Sequence, residues 1–168
     1  MPEGPGGPVH PAGTVDPAER ADEVWHRALL PQPVSDLPGD VALHHALSFH
    51  GTVMRGGLLK AVEDAIEAGD GEHLDAVASA YLWLGVGEVA DLVGRVRSAV
   101  EAGGTRRLAE AETLERESQQ EIDAVMPDDA ALEAVLLAKV VESPGAFSPG
   151  GVPRFSWADH VRDQAGES

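Results

Sequence analysis

The chain has no cysteine among its 168 residues, so disulfides and thiol chemistry are excluded. Aromatics make up only 4% of it, and β-branched runs with a period of two are missing, which argues against a sheet. No apolar run approaches the length of a membrane span, and the N-terminus lacks the basic, apolar, small-residue order of a signal peptide. A soluble cytoplasmic protein is the expectation. Basic residues are scarce as well: 12 Lys plus Arg stand against 29 acids, a formal net charge of −17. Such a chain repels nucleic acid and anionic membranes and attracts basic surfaces over roughly a Debye length.

What is present is helical patterning. The ends are rich in Pro and Gly, so residues 1–15 read as a disordered segment and 143–168 as a flexible tail that holds Phe147, Phe155 and Trp157. Between them, residues 16–142 read as one helical domain, an all-α compact bundle of six or seven antiparallel helices. Asp16 and Pro17 open the first, whose apolar face is Ala21, Val24, Trp25, Ala28 and Leu29. The second, about 39 to 54, places Leu43, Ala46, Leu47, His50, Val53 and Met54 on one stripe. Gly56 and Gly57 then make a tight corner into a third helix bearing Leu58, Leu59, Val62, Ala65 and Ile66.

Gly69 and Gly71 end the third helix and Gly85 ends the fourth, which has Leu74, Val77, Ala78, Tyr81 and Leu82 inward. Val89, Ala90, Leu92, Val93, Val96 and Val100 mark the fifth. A polar sixth helix, with Thr105 as its expected cap, turns Ala111, Leu114, Ser118, Ile122 and Val125 inward. Pro127 breaks the chain, and Asp128 or Asp129 caps a last helix with Leu132, Val135, Leu136 and Val140. Short connections imply antiparallel neighbours.

The order "LHHALSFHGTVMRGGLLKAVED", followed by "LDAVASAYLWLGVGEVADLVGRV", resembles the C-terminal domain family named after a bacterial DNA-mimic protein, also described as a domain of unknown function. The likeness covers about residues 40–142 and rests mainly on the Gly-Gly corner. It implies an all-α acidic domain that occupies the DNA-binding surface of a basic protein. The corner departs from the family pattern: Arg55 stands where members usually have Asn before the glycines, and Lys60 where they often have Gln. Asn can accept hydrogen bonds from corner backbone groups; Arg cannot.

The acids fall into two groups, Glu63 to Asp75 and Glu101 to Glu133. On the sixth helix Glu110, Glu117 and Glu121 lie within about 40° of one another, a row of carboxylates spaced, at ~6 Å or more, like successive phosphates. A solvated face with i,i+4 pairs, Glu112 with Arg116 for example, explains the same pattern more plainly. With Glu63, Glu67 and Asp70 these acids are the expected contacts to a basic, DNA-binding partner, and Arg55, Gly56 and Gly57 are the structural corner.

Other chemistry finds little footing. His44, His45 and His50 point about 100°, 200° and 340° from Leu43 on one helix, so they cannot converge on one ion. "GDGEHLD" lacks the ligand order of a calcium loop. No serine sits at a strand–helix elbow, and "RGGLLK" lacks P-loop spacing. The expectation is therefore a non-enzymatic protein without metal or cofactor, able to self-associate as a homodimer. The alternatives are an adaptor or immunity-type protein held by apolar contacts, or a His/acid metal-dependent hydrolase.

Overall fold

The computed structural model describes residues 15–149, and among these it contains seven α-helices and no strand. They are α1 (Pro17–Ala28), α2 (Pro38–Gly56), α3 (Leu58–Glu67), α4 (Gly71–Leu84), α5 (Gly87–Glu101), α6 (Leu108–Val125) and α7 (Asp129–Glu142), followed by a 3-10 turn, Pro144–Ala146. The all-α bundle expected from sequence is what forms.

Local chemistry sets most of the boundaries. Asp16 accepts from the Ala18 N–H at 2.9 Å and Pro17 takes the first helical position. Asp70 and Asp128 cap α4 and α7 through the His73 and Ala131 N–H groups. Gly85, in the left-handed region at φ 84°, closes α4 while the Val86 N–H reaches back to the Tyr81 carbonyl. Gly71, expected to end α3, instead opens α4. Thr105 does not cap α6. The turn at Gly103 and Gly104 carries the chain on to Arg107, whose extended backbone offers its carbonyl to the Glu110 and Ala111 N–H groups.

The helices pack in order. α6 rests on α3 and α5; these join α2 and α4, which share the broadest contact in the molecule; α7 and α1 lie beyond. One continuous apolar core runs through them. Its centre is α2, buried on more than the predicted stripe: Phe49 is buried with Leu43, Ala46, Leu47 and Val53. Met54, Leu29 and Leu82, all expected inward, are exposed, because the neighbouring helices do not reach those edges. Tyr81 is buried and donates to the Ala46 carbonyl at 3.3 Å; burial pushes its phenol up, which keeps it a neutral donor.

The domain does not end at residue 142. Phe147 is 2% exposed and lies edge-on to Trp83, with ring centres 5.9 Å apart. It fits only because position 39 is glycine: a Cβ there would stand 2.6 Å from the Phe147 ring. Ser148 is held from both sides. Its N–H donates to Asp40 Oδ2 at 2.9 Å, and its carbonyl accepts from the Arg27 and Arg20 guanidiniums. Asp40, itself buried, also accepts from the Ser35 hydroxyl at 2.6 Å and lies 4.0 Å from Arg27. The predicted tail thus begins as part of the core, since a buried aromatic and the hydrogen bonds of Ser148 offset the entropy of ordering it. Phe155 and Trp157 lie outside the described residues.

Candidate partner-binding surface

The glycine corner is where α6 is tied to the rest. Gly57 has φ 86° and ψ 161°, a conformation essentially confined to glycine, and it lacks any side chain to cap α3. The cap comes from α6: Gln119 Oε1 accepts from the Leu58 N–H at 3.1 Å. Arg55 turns away toward the Thr52 hydroxyl. The corner's acceptor is thus supplied across space by Gln119 and not by residue 55.

Apart from this link, α6 gives little to the core. Of its 18 residues only Ser118 and Ile122 are buried, and Val125, expected inward, lies at the surface. Glu110, Glu112, Glu115, Glu117, Glu121 and Asp123 are all exposed. The six predicted contact acids nevertheless differ. Glu121 is clamped by both guanidinium nitrogens of Arg95, which bridges α5 to α6. That hydrogen bond and the adjacent cation hold Glu121 below the ordinary carboxylate value. Glu110 pairs with Arg107 at 3.2 Å, and Glu117 lies 3.9 Å from Arg116, the cation that the sequence assigned to Glu112. Asp70 is engaged as a helix cap. Among the described residues no cation lies within 4 Å of Glu63, which is half-buried, or of Glu67, which is exposed. Glu63 and Glu67 sit on α3, directly beside α6.

Sequence reasoning missed the far side of α6. Between α5 and α6 runs a groove of about 400 Å³ lined by Glu88, Val89, Asp91, Leu92, Arg95, Glu121, Ala124 and Val125. Glu88, Asp91 and Arg95 recur at helical spacing on one face of α5. The pattern is visible in the sequence, but only the apolar stripe of that helix was read there. On the next helix pair Arg97 bridges Asp75 at 2.6 Å and Glu101 at 2.9 Å, so two further acids of the predicted groups are matched within the fold.

The His44 and His45 rings lie edge-on, centres 5.6 Å apart. His44 Nδ1 lies 3.2 Å from the Ala28 carbonyl, and His50 is buried with Nε2 3.1 Å from Asp129 Oδ1, though not aligned for a hydrogen bond. His45 faces His73 of α4, ring centres 6.1 Å apart. Partial burial first, then the neighbouring His44 and His73, lower its pKa. Among the described residues no group of three or more His, Asp or Glu is placed to hold a metal ion, and no helix is long and apolar enough to cross a membrane.

Comparison with protein-family models, with curated proteins and with solved structures finds no match.

Proposed function

We propose that this chain is a non-enzymatic acidic interaction protein that occupies the nucleic-acid-binding surface of a basic protein, such as a transcription regulator. The observation that carries this reading is α6: 18 residues long, with two buried, it holds a run of carboxylates at the edge of the bundle. A helix serving stability alone would bury a broader stripe. Its acids stand one to two turns apart, in the range of phosphate spacing, and the adjacent α3 carries a further exposed acid, Glu67. A net charge of −17 drives such a chain toward cationic grooves and away from nucleic acid itself. The resemblance to the DNA-mimic family points the same way.

The test is capture from a lysate on the immobilised full chain at low salt, with elution by a salt step and by duplex DNA. A DNA-binding protein released by both supports the reading. Retention that neither salt nor DNA disturbs counts against it.

A second reading, an adaptor or immunity-type protein held by apolar contacts, is favoured by one feature at the opposite side of the bundle. A groove of about 520 Å³ between α1, α2 and the start of α7 is walled by Trp25, Leu29, Leu30 and Leu47, and Leu29 is 61% exposed. Capture that survives high salt but is lost in Leu29→Asp would select this reading.

A further inference from the structure

We infer that the α5–α6 groove is the docking site for a basic amphipathic helix of the partner, and that Arg95 occupies Glu121 as an internal stand-in for an arginine the partner brings. The inference rests on the acidic-module reading and goes beyond it by specifying an apolar component and a place.

The groove is not a plain cluster of acids. Val89 and Leu92 form its floor, Ala124 and the part-exposed Val125 its wall, and Glu88, Asp91 and Glu121 its rim. From Glu88 to Arg95 the α5 edge runs seven residues, about 10 Å, so two turns of an incoming helix match its length. Charge decides the occupant. Three carboxylates rim the groove against one guanidinium: Arg95 is committed to Glu121 and only feels Asp91 at longer range, and among the described residues no cation lies within 4 Å of Glu88 or Asp91. A second copy of this chain, net −17, is repelled; a helix with an apolar ridge flanked by Lys or Arg is complementary on both counts.

Arg95 supplies the exchange. Its side chain is 60% exposed and that of Glu121 49%, so solvent screens the pair and little is lost when one guanidinium replaces another on the same carboxylate. The bidentate geometry of the internal pair marks out the site as one that accepts an arginine fork. Ala124 and Val125 lie within one turn of Glu121, so an arriving arginine brings its neighbouring apolar side chains onto the wall.

The probe is a synthetic two-to-three-turn helical peptide with a leucine ridge and flanking arginines, set beside a scrambled peptide of the same composition. Both are titrated into the labelled full chain by NMR. The expected result is at least ten-fold tighter binding of the amphipathic peptide, with amide shifts centred on Val89, Leu92, Ala124 and Val125. Arg95→Ala should bind it several-fold tighter than the parent chain, because Glu121 is released, and Val125→Lys should lose most of the affinity. Circular dichroism on both variants separates misfolding from lost contact, and the exposed positions chosen leave the core intact. Equal affinity for the two peptides, with shifts spread over the acidic faces, overturns the groove while the acidic-module reading stands. No binding of either peptide at low salt overturns both.

Discussion

Two helices of almost equal length use their residues in opposite ways. α2 buries nine of its 19 residues, two of them ionisable, Asp40 and His50; α6 buries two of 18. Both are amphipathic on paper, and both are crossed by other helices, yet α2 is enclosed by α1, α3, α4 and α7 while α6 packs mainly on α3 and α5. The difference teaches where this molecule keeps its stability and where it keeps its charge. Substitutions of the same kind should therefore have very different consequences on the two helices.

The largest effect is expected at the buried acid of α2. Asp40→Ala removes the buried acceptor for Ser35 and for the Ser148 N–H and takes the carboxylate away from beside the Arg27 guanidinium, a loss of about 3–5 kcal/mol in urea unfolding. It should also release Phe147, seen as a gain in Trp83 solvent quenching, since the aromatic is held in place by the same network. Unfolding within 1 kcal/mol of the parent would show that the network is ornamental. Leu43→Ala, at a position with no exposed surface, should cost about 2–5 kcal/mol. Leu108→Ala on α6, where the side chain is 76% exposed, should stay within about 0.5 kcal/mol.

Next comes the corner that joins the two helices' territories. Gly57→Ala forces a Cβ into a positive φ, with Gln119 Oε1 only at ordinary contact distance, a cost of about 1–3 kcal/mol that comes from the backbone. Gly56→Ala meets only the flexible Lys60 stem, has an ordinary helical backbone, and should be neutral or stabilise by up to about 1 kcal/mol. Adjacent glycines of one motif thus respond with opposite signs. Equal responses would mean that the corner is not strained.

This contrast also shows what the sequence could and could not tell. Period, caps and breakers pointed to six or seven helices, most of them close to their observed ends, because Asp16, Asp128, Gly57 and Gly85 act locally. Long-range facts were hidden. Nothing in "SPGAFS" announces that Phe147 fills the space left by Gly39, 108 residues earlier, or that Ser148 closes a network with Asp40. The candidate acids were legible as a composition and a helical row. Their pairings were not: Glu121 with Arg95 joins α5 to α6, and Arg97 with Asp75 joins α4 to α5, each set by tertiary packing rather than spacing. The α5–α6 groove escaped for the same reason, since its lining is shared between the two helices, five residues from α5 and three from α6.

A smaller effect should follow from pH, and it too belongs to the α2 side. His45 titrates below its ordinary value of 6.5 in the folded chain, so the unfolded chain takes up the proton first as pH falls. The stability tied to it is complete above pH 6.5 and is lost as pH drops from there through the lowered folded value. His45→Gln should flatten the dependence of Tm on pH in that interval. A variant whose profile overlays that of the parent would place the acid sensitivity elsewhere.

The smallest expected change is on α6, and it is the one that separates stability from function. Glu112 and Glu115 are exposed and have no cation within 4 Å among the described residues. The double change Glu112→Gln and Glu115→Gln should leave urea unfolding within about 0.5 kcal/mol of the parent, since no capping bond or ion pair is lost. Removing two like charges from a crowded face should, if anything, stabilise it slightly. The same variant, immobilised for capture at low salt, should retain less of a basic partner, and the salt needed for release should fall. If stability drops by a kcal/mol or more, α6 is holding the bundle together through its acids, and its sparse burial would not mark it as a surface set aside for binding.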